Sequence, residues 1–335
     1  MEECLLWSRE SGKIRCELCA WKCLIGEGES GKCGVRINKG GTLYSKNYGK
    51  ISITEEKSIE NFQIFHFYPG SKALSLGSFG CNMFCKFCSD FEVSQKAGGK
   101  SDKYTPEDII RAANKKGIKL IVFTYSEPTV NFEFAFKVAR LAKRYNIKTI
   151  FVTNGYITSD GVKKIGKYLD AVSVDIKASL DPEFYKNYIG VDDVEPIFEA
   201  LKSFKKHRVF IEISNLIVPD VGDKEEPNKK FLYWVINNLG STIPYHLLTF
   251  NPAYKMEDIY QTEMRVLEKF AMDARSVGMR YIYISTPFGA GDYENTYCYN
   301  CGTCIIKRNF SIFESKNLIG DRCPECGFRI DLVLD

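Results

Sequence analysis

Three cysteines within one short loop are the residues of this sequence whose type and spacing could do chemistry. Cys81, Cys85 and Cys88 stand in a Cys-x3-Cys-x2-Cys arrangement directly after the apolar run 73–79. That run predicts a buried strand, and loops at the C-terminal ends of strands carry the chemistry of α/β barrels. Thiolates suit zinc and iron–sulfur clusters, and structural zinc normally takes four protein ligands. Three ligands therefore favour a cubane cluster with one iron left open; structural zinc and buried core thiols are the alternatives.

A second cysteine group lies among glycines in the first 50 residues and comprises Cys16, Cys19, Cys23 and Cys33. So short a segment cannot build a supporting hydrophobic core, and we therefore expect a metal to hold it together. Zinc and a second iron–sulfur cluster fit four thiolates equally well. Disulfides or a metal-free module are the alternative. Cys4 stands apart and is predicted to be a small buried hydrophobe.

The third group consists of two Cys-x2-Cys-Gly knuckles near the C-terminus, which contain Cys298, Cys301, Cys323 and Cys326. The glycine after each knuckle lets the backbone curl its amides toward the sulfurs. The pattern predicts a zinc ribbon with four cysteine ligands, with iron in place of zinc as the main alternative. No glycine follows Cys304, and we leave it outside the site.

Between the cysteine groups, strand-like and helix-like segments alternate, which predicts a parallel sheet with right-handed crossovers. Thr105 and Pro106 provide an N-cap and a first-turn proline for the first helix. After the strand at 73–79, the predicted strands are Leu120 to Thr124, Thr149 to Val152, Ala171 to Ile176, Val209 to Ile213, His246 to Phe250 and Tyr281 to Ile284. Further helices are centred on 132–145, 160–168, 195–204, 229–239 and 262–277.

Polar residues follow several of these strands, where they would meet at one edge of the sheet. Glu127 and Asn154 follow the second and third strands, and Asp175 and Lys177 end the fourth. A helix N-cap is the alternative role for Glu127, and a simple salt bridge is the alternative for the charged pair. The fifth strand is predicted to end near Ser214 and Asn215. These two residues and His246 are weaker candidates, and His246 fits a buried core histidine equally well.

The cysteine loop, with Phe87 as its aromatic residue, resembles the signature of the radical S-adenosylmethionine (SAM) enzymes. The resemblance implies a partial (β/α)6-type barrel and a [4Fe–4S] cluster on the three cysteines that cleaves SAM reductively. The resulting 5′-deoxyadenosyl radical abstracts hydrogen from a substrate. The resemblance further implies SAM contacts by Phe87, Glu127 on the methionyl ammonium, Asn154 on the ribose, and Lys177, oriented by Asp175, on the carboxylate. It also implies a low-potential electron donor of the ferredoxin or flavodoxin type.

Nearly the whole chain resembles one subgroup, the AmmeMemoRadiSam-system radical SAM proteins, which are related to pyruvate formate-lyase activating enzymes. The matching segments are 16–36, 66–70, 80–95, 125–129, 153–156 and 295–298. The name of the subgroup suggests Memo-like and AMMECR1-like proteins as partners. Thr249, the turn 285–289 and the pair 89–90 depart from the subgroup at strand ends, which suggests a divergent paralogue with its own substrate. Val152 stands near a position where activating enzymes often have Asp, which argues against glycyl-radical activation.

Length and composition fit one large domain with appendages. The 335 residues, 44% of them hydrophobic, are divided into a Cys-rich metal-binding module (1–50), a connector (51–72), the radical SAM barrel (73–292) and the zinc ribbon (293–335). Thirteen cysteines behind a charged N-terminus predict a reducing cytoplasm and an oxygen-sensitive protein.

We expect no membrane span, and the net charge of +4 argues against nucleic-acid binding. The substrate stays open. One alternative to hydrogen abstraction from a small molecule is an activating enzyme that installs a radical on a partner protein. A second alternative is a metal-stapled scaffold without catalysis.

Overall fold

The N-terminal module is built from short antiparallel strands. The computed structural model describes residues 1–95 and 98–334. The strands of the module are β1 (Glu2–Glu3), β2 (Trp7–Glu10), β3 (Lys13–Cys16), β4 (Leu24–Ile25), β5 (Arg36–Lys39), β6 (Thr42–Ser45) and β7 (Lys50–Ile51). Six of these strands form two three-stranded sheets, β1–β6–β5 and β2–β3–β4. The buried guanidinium of Arg36 donates to both carboxylate oxygens of Glu133, at 3.0 and 3.1 Å, and so fastens the module to the main domain.

The main domain is organised around an open eight-stranded sheet. From β8 onward the strands are β8 (Ile53–Ser58), β9 (Lys72–Gly77), β10 (Asp102–Lys103), β11 (Leu120–Phe123), β12 (Lys148–Thr153), β13 (Ala171–Lys177), β14 (Phe210–Ile217), β15 (Tyr245–Thr249) and β16 (Ile282–Ser285). The sheet order is β8–β9–β11–β12–β13–β14–β15–β16, and β10 pairs with β7 outside the sheet. β8 is antiparallel to β9, and the other neighbours are parallel. The predicted parallel sheet is therefore confirmed, and the predicted connector supplies its antiparallel edge.

The predicted end of the fifth strand is wrong, because β14 continues to Ile217. Ser214 and Asn215 are buried inside the strand, where neighbouring side chains satisfy their hydrogen-bonding groups. The Ser214 hydroxyl lies 3.2 Å from that of Ser173, and the Asn215 amide donates to the Tyr245 hydroxyl at 2.7 Å. Internal hydrogen bonds make a polar pair compatible with a buried strand, which residue type alone does not reveal.

Helices follow the strands of the sheet. They are α1 (Phe91–Ser94), α2 (Pro106–Lys115), α3 (Phe132–Ala142), α4 (Ser159–Ile165), α5 (Pro182–Phe184), α6 (Glu195–Lys206), α7 (Glu225–Asn238) and α8 (Met264–Ser276). The predicted start of α2 is confirmed: the Thr105 hydroxyl accepts from the Asp108 amide, and the Asp108 carboxylate accepts from the Thr105 amide. In the described part of the chain, no helix combines the length and apolarity that crossing a bilayer requires.

The C-terminal unit packs against the last strands of the sheet. Its strands are β17 (Thr296–Tyr297), β18 (Cys304–Asn309) and β19 (Ile312–Lys316), all antiparallel. Ile305 and Ile306 share a buried cluster with Tyr281 and Tyr283. The buried Arg308 guanidinium donates to the Phe65 carbonyl at 2.7 Å, so the unit is joined to the segment that precedes β9.

A buried polar network lies in the N-terminal halves of β14 to β16. The Glu212 carboxylate accepts from the backbone amide of His66 at 2.8 Å and contacts His246 Nε2 at 2.8 Å. His66 Nδ1 donates to the Asp331 carbonyl at 2.7 Å, so its Nε2 accepts from the Tyr283 hydroxyl at 2.6 Å. His246 is therefore a buried core histidine, and the network connects the sheet to the C-terminal unit.

Candidate active site

The loop after β9 holds Cys81, Cys85 and Cys88 on a tight, externally braced backbone. The amides of Phe84 and Lys86 donate at 2.9 Å to carbonyls of the segment after α5, which fixes the middle of the loop. The Met83 amide points to the Cys81 sulfur at 3.4 Å, and the Ser94 hydroxyl lies 3.1 Å from the Cys88 sulfur.

Burial raises the pKa of all three thiols, to about 12 for Cys85. Without a positive partner these groups stay protonated at neutral pH, whereas a bound metal or cluster offsets the cost of deprotonation. The braced backbone, the donors aimed at sulfur and the burial together fit a group that binds thiolates.

A cavity of about 530 Å³ opens beside this loop at the C-terminal ends of the strands. Its lining includes all eight residues predicted for cluster and SAM binding: Cys81, Cys85, Phe87, Cys88, Glu127, Asn154, Asp175 and Lys177. Cavities of this size hold one drug-sized ligand. The structure therefore brings together side chains that are almost 100 residues apart in sequence.

Glu127 is a buried carboxylate whose oxygens are held by the protein. Its Oε1 accepts from the Thr129 amide at 2.9 Å and from the Thr153 hydroxyl at 2.7 Å, and its Oε2 accepts from the Asn154 amide at 2.9 Å. Burial raises the pKa of Glu127, and these donors oppose the rise. The residue is the N-cap of a 3₁₀ turn and also lines the cavity, so the N-cap alternative and the cavity position are both present.

Asp175 and Lys177 form an ion pair at the end of β13, with Nζ and Oδ2 2.8 Å apart. Burial opposes the charge on Lys177, but the neighbouring Asp175, Cys85 and Tyr185 together outweigh it, so the pKa of Lys177 is raised. The ammonium also donates to the Asp175 carbonyl at 2.6 Å. The site therefore keeps a buried positive charge in place next to the cysteine loop.

Asn154 and Phe87 complete the predicted set. The Asn154 amide donates to the side-chain oxygen of Asn82 at 2.8 Å, and its nitrogen lies 3.8 Å from the Cys81 sulfur. Phe87 packs between Phe184 and Phe250, with ring centroids 5.7 and 6.1 Å away. Asn154 thus joins the cysteine loop to β12, and Phe87 anchors the loop to the aromatic side chains of Phe184 and Phe250.

Sequence reasoning missed part of the cavity wall. Lys57, Gln63 and Asp90 also line the cavity, although two of them lie in the predicted connector. Burial raises the pKa of Asp90, and the nearby Lys57 lowers it. The one available signal was the departure of the pair 89–90 from the subgroup pattern. Of the weaker candidates, Asn215 and His246 are absent from the described lining of the cavity, where Leu216 stands instead.

The N-terminal cysteines are gathered around the β3–β4 hairpin. The Cys16 amide donates to the Cys23 carbonyl at 2.9 Å, and the Lys32 amide points to the Cys23 sulfur at 3.5 Å. Burial raises the pKa of Cys19, and the neighbouring Cys16 and Cys33 raise it further. Cys4 is 3% exposed, in accord with its predicted place in the core.

The four C-terminal cysteines Cys298, Cys301, Cys323 and Cys326 place their sulfurs within 4.8 Å of one another. Two of the sulfur pairs, Cys298 with Cys326 and Cys301 with Cys323, are 3.5 and 3.6 Å apart. Such spacing suits one tetrahedral ion with metal–sulfur bonds of about 2.3 Å. A metal site of four cysteines is thus present as predicted, and Cys304 lies outside it.

Comparison with known proteins agrees with this geometry. The model of the radical SAM superfamily matches residues 76–232. An uncharacterized protein of Methanocaldococcus jannaschii is 36% identical over 100% of both chains. The pyruvate formate-lyase-activating enzyme of Clostridium pasteurianum is 27% identical over 61% of this chain and 87% of that enzyme. The cysteine-type anaerobic sulfatase-maturating enzyme of Clostridium perfringens is 25% identical over 50% of this chain and 48% of that enzyme. The chain belongs to the radical SAM superfamily and is a radical SAM enzyme.

Proposed function

We propose that Cys81, Cys85 and Cys88 hold a [4Fe–4S] cluster and that the cavity beside them binds SAM. The observation that carries the proposal is that the three thiols and all five predicted SAM contacts line one cavity. When bound, the cluster and SAM would supply a low-potential electron and a 5′-deoxyadenosyl radical that abstracts hydrogen from the substrate. A curved sheet of the partial (β/α)6 type would place this chemistry at the mouth of the barrel.

The side chains of the chain have separate tasks in this proposal. Lys177 offers a buried ammonium to the carboxylate of SAM, and Asp175 keeps it in position through the 2.8 Å ion pair. Glu127 offers its carboxylate to the methionyl ammonium, while three protein donors hold that carboxylate in one orientation. Asn154 provides a polar group for the ribose, and Phe87 shapes the wall.

The remaining assignments extend the proposal to cofactors and partners. We assign zinc to the C-terminal cysteines because one ion fits their spacing, and a ferredoxin or flavodoxin as the low-potential donor of a cytoplasmic enzyme. Membership of the AmmeMemoRadiSam subgroup, and with it Memo-like and AMMECR1-like partners, stays a prediction.

A second candidate function is the modification of a partner protein. A cavity of about 530 Å³ has room for one ligand of the size of SAM, so the substrate has to reach the reacting atoms from the open side. A protein segment can do so without entering the cavity completely. Transfer of deuterium into 5′-deoxyadenosine from a deuterated protein or from a deuterated small molecule distinguishes the two substrate classes.

The experiment that tests the proposal is anaerobic reconstitution with iron and sulfide, reduction by dithionite, and chromatography for 5′-deoxyadenosine after addition of SAM. Wild type should produce 5′-deoxyadenosine, and Cys85→Ala should produce none. Cys304→Ala, which removes a cysteine outside all three groups, is the matched control and should behave as wild type. Failure of the loaded, reduced wild type to bind SAM would overturn the proposal in favour of a non-catalytic scaffold.

A further inference from the structure

The N-terminal cysteines differ from the C-terminal ones in how far apart their sulfur atoms lie. In the described residues, the C-terminal four are the group whose ligand atoms all come within 4.8 Å. The sulfur atoms of the N-terminal cysteines Cys16, Cys19, Cys23 and Cys33 do not all come that close to one another. The sulfur atoms of the three loop cysteines do not either. A single zinc ion draws its four sulfurs together because each bond is only about 2.3 Å long. A cubane cluster binds each thiolate at a different iron and therefore keeps the sulfurs further apart.

The surroundings of the N-terminal cysteines are those of a built ligand site. Cys16 and Cys33 are held within the module next to the buried Arg36, and the Lys32 amide points to the Cys23 sulfur. No disulfide joins the cysteines, which are free thiols in the structure. We infer that the N-terminal module holds a second iron–sulfur cluster, not zinc, and that this cluster passes electrons to the loop that carries Cys81.

Direct contact between the module and the cysteine loop supports the transfer role. The backbone at Gly80, next to Cys81, is so close to Cys33 that an added Cβ would lie 3.1 Å from the Cys33 carbonyl oxygen. The Trp21 indole donates to the Asn82 carbonyl at 2.6 Å. Cys81 is a proposed ligand of the loop cluster, and Cys33 is a proposed ligand of the N-terminal cluster. One residue, Gly80, and one van der Waals contact therefore lie between them.

The reaction moves one electron and no proton. A reduced protein of the ferredoxin or flavodoxin class gives an electron to the N-terminal cluster, which is oxidised again when it reduces the loop cluster. Cys23 is half-buried beside the exposed Lys22, so an external donor has access to this side of the module. The transfer role rests on the proposed function, whereas the identity of the N-terminal cluster does not.

The first experiment tests the identity of the metal in the variant C81A/C85A/C88A, which leaves the module untouched. After anaerobic reconstitution, this variant should retain about four iron and four sulfide per chain, with about one zinc, and show the Mössbauer signature of one cluster. Wild type should contain about twice as much iron. Further replacement of Cys16 and Cys33 by Ala should remove the remaining iron. About two zinc and no iron in the triple variant would overturn the inference.

The second experiment tests electron transfer with reduced ferredoxin and freeze-quenched EPR of the loop cluster. Cys33→Ala should slow reduction of the loop cluster by about tenfold or more, while dithionite should still support reduction. If Cys33→Ala does not fold, Cys23→Ser replaces it, because that side chain is half-exposed. An unchanged rate with ferredoxin would overturn the transfer role. A loop cluster that is reduced at the wild-type rate but never cleaves SAM would instead contradict the proposed function alone.

Discussion

The two ends of the chain both carry four cysteines within small antiparallel sheets, but they hold them differently. In the C-terminal unit the sulfurs converge within 4.8 Å, as one ion requires, whereas those of the N-terminal module stay further apart. The two units also lie at opposite ends of the strands. The N-terminal module contacts the loops that line the cavity, through Trp21 and Cys33. The C-terminal unit contacts the N-terminal halves of β14 to β16 through Tyr283 and Arg308.

This difference shows that cysteine count alone does not assign a role. A closed site that is remote from the cavity stabilises its own unit, because each of its thiolates is used by the ion and none faces a ligand. A wider site that touches the cavity loop can take part in the chemistry. Four perturbations test this difference.

Cys323→Ser tests the structural role of the C-terminal site. Cys323 is 1% exposed and shares a buried cluster with Phe65 and Tyr281. Loss of the ion should remove most of the roughly 10 kcal/mol that a structural zinc contributes to folding of its unit. We expect loss of about one zinc and rapid proteolysis after residue 293, with iron content unchanged. Cys304→Ser is the control, and a parallel loss of iron would contradict the separation of the two sites.

Gly80→Ala tests the contact between the N-terminal module and the cysteine loop. Gly80 has φ +90°, and an added Cβ would lie 2.7 Å from Val35 Cγ1. Backbone strain and overpacking together should lower the free energy of unfolding by about 4 kcal/mol. Iron content should fall and zinc content should not. Gly40→Ala, at φ +64° with nothing within 4 Å of the added atom, should cost only about 1 kcal/mol. Equal effects of the two variants would mean that the contact contributes nothing.

Acid unfolding tests the joint between the sheet and the C-terminal unit. Burial lowers the pKa of His66 from 6.5 to about 4, although Glu212 opposes the shift. Between these two pKa values the unfolded chain binds a proton at His66 and the folded chain does not. The contribution of neutral His66 to the free energy of unfolding is therefore full above pH 6.5 and decreases as the pH falls toward 4. The loss should reach about 3 kcal/mol. Urea unfolding of wild type and His66→Gln should show this slope in wild type alone; parallel curves would contradict it.

Much of this organisation could be predicted because it depends on local patterns. Alternating apolar runs identified the seven parallel strands, and Thr105 with Pro106 identified a helix start that the structure confirms. The cysteine spacings identified three groups, and the strand-end positions of Glu127 and Lys177 indicated that they would meet. Parallel strands bring their carboxyl ends to one edge, so a local pattern was sufficient to place distant residues together.

The rest depends on contacts that no local pattern records. The polarity of Asn215 predicts a strand end, yet the Tyr245 hydroxyl accepts a hydrogen bond from its amide within the sheet. Lys57 reaches the cavity from β8, which joins the sheet by antiparallel pairing with β9. The choice between zinc and a cluster also depends on sulfur separation in space, which spacing along the chain does not determine.

Glu127→Gln tests the cavity alone and leaves the cysteine sites of the N-terminal module and the C-terminal unit unchanged. The change removes the negative charge proposed to bind the methionyl ammonium but keeps the shape of the side chain. A charge-assisted hydrogen bond contributes about 2 kcal/mol, so SAM should bind about 30-fold more weakly to the reconstituted variant in anaerobic calorimetry. Iron and zinc contents should equal those of wild type, because Glu127 is not a proposed ligand. Glu55→Gln is the matched control, since Glu55 accepts from the Tyr125 hydroxyl and is not among the residues that line the cavity. Wild-type affinity in Glu127→Gln would show that the carboxylate serves only the 3₁₀ turn, where it accepts from the Thr129 amide.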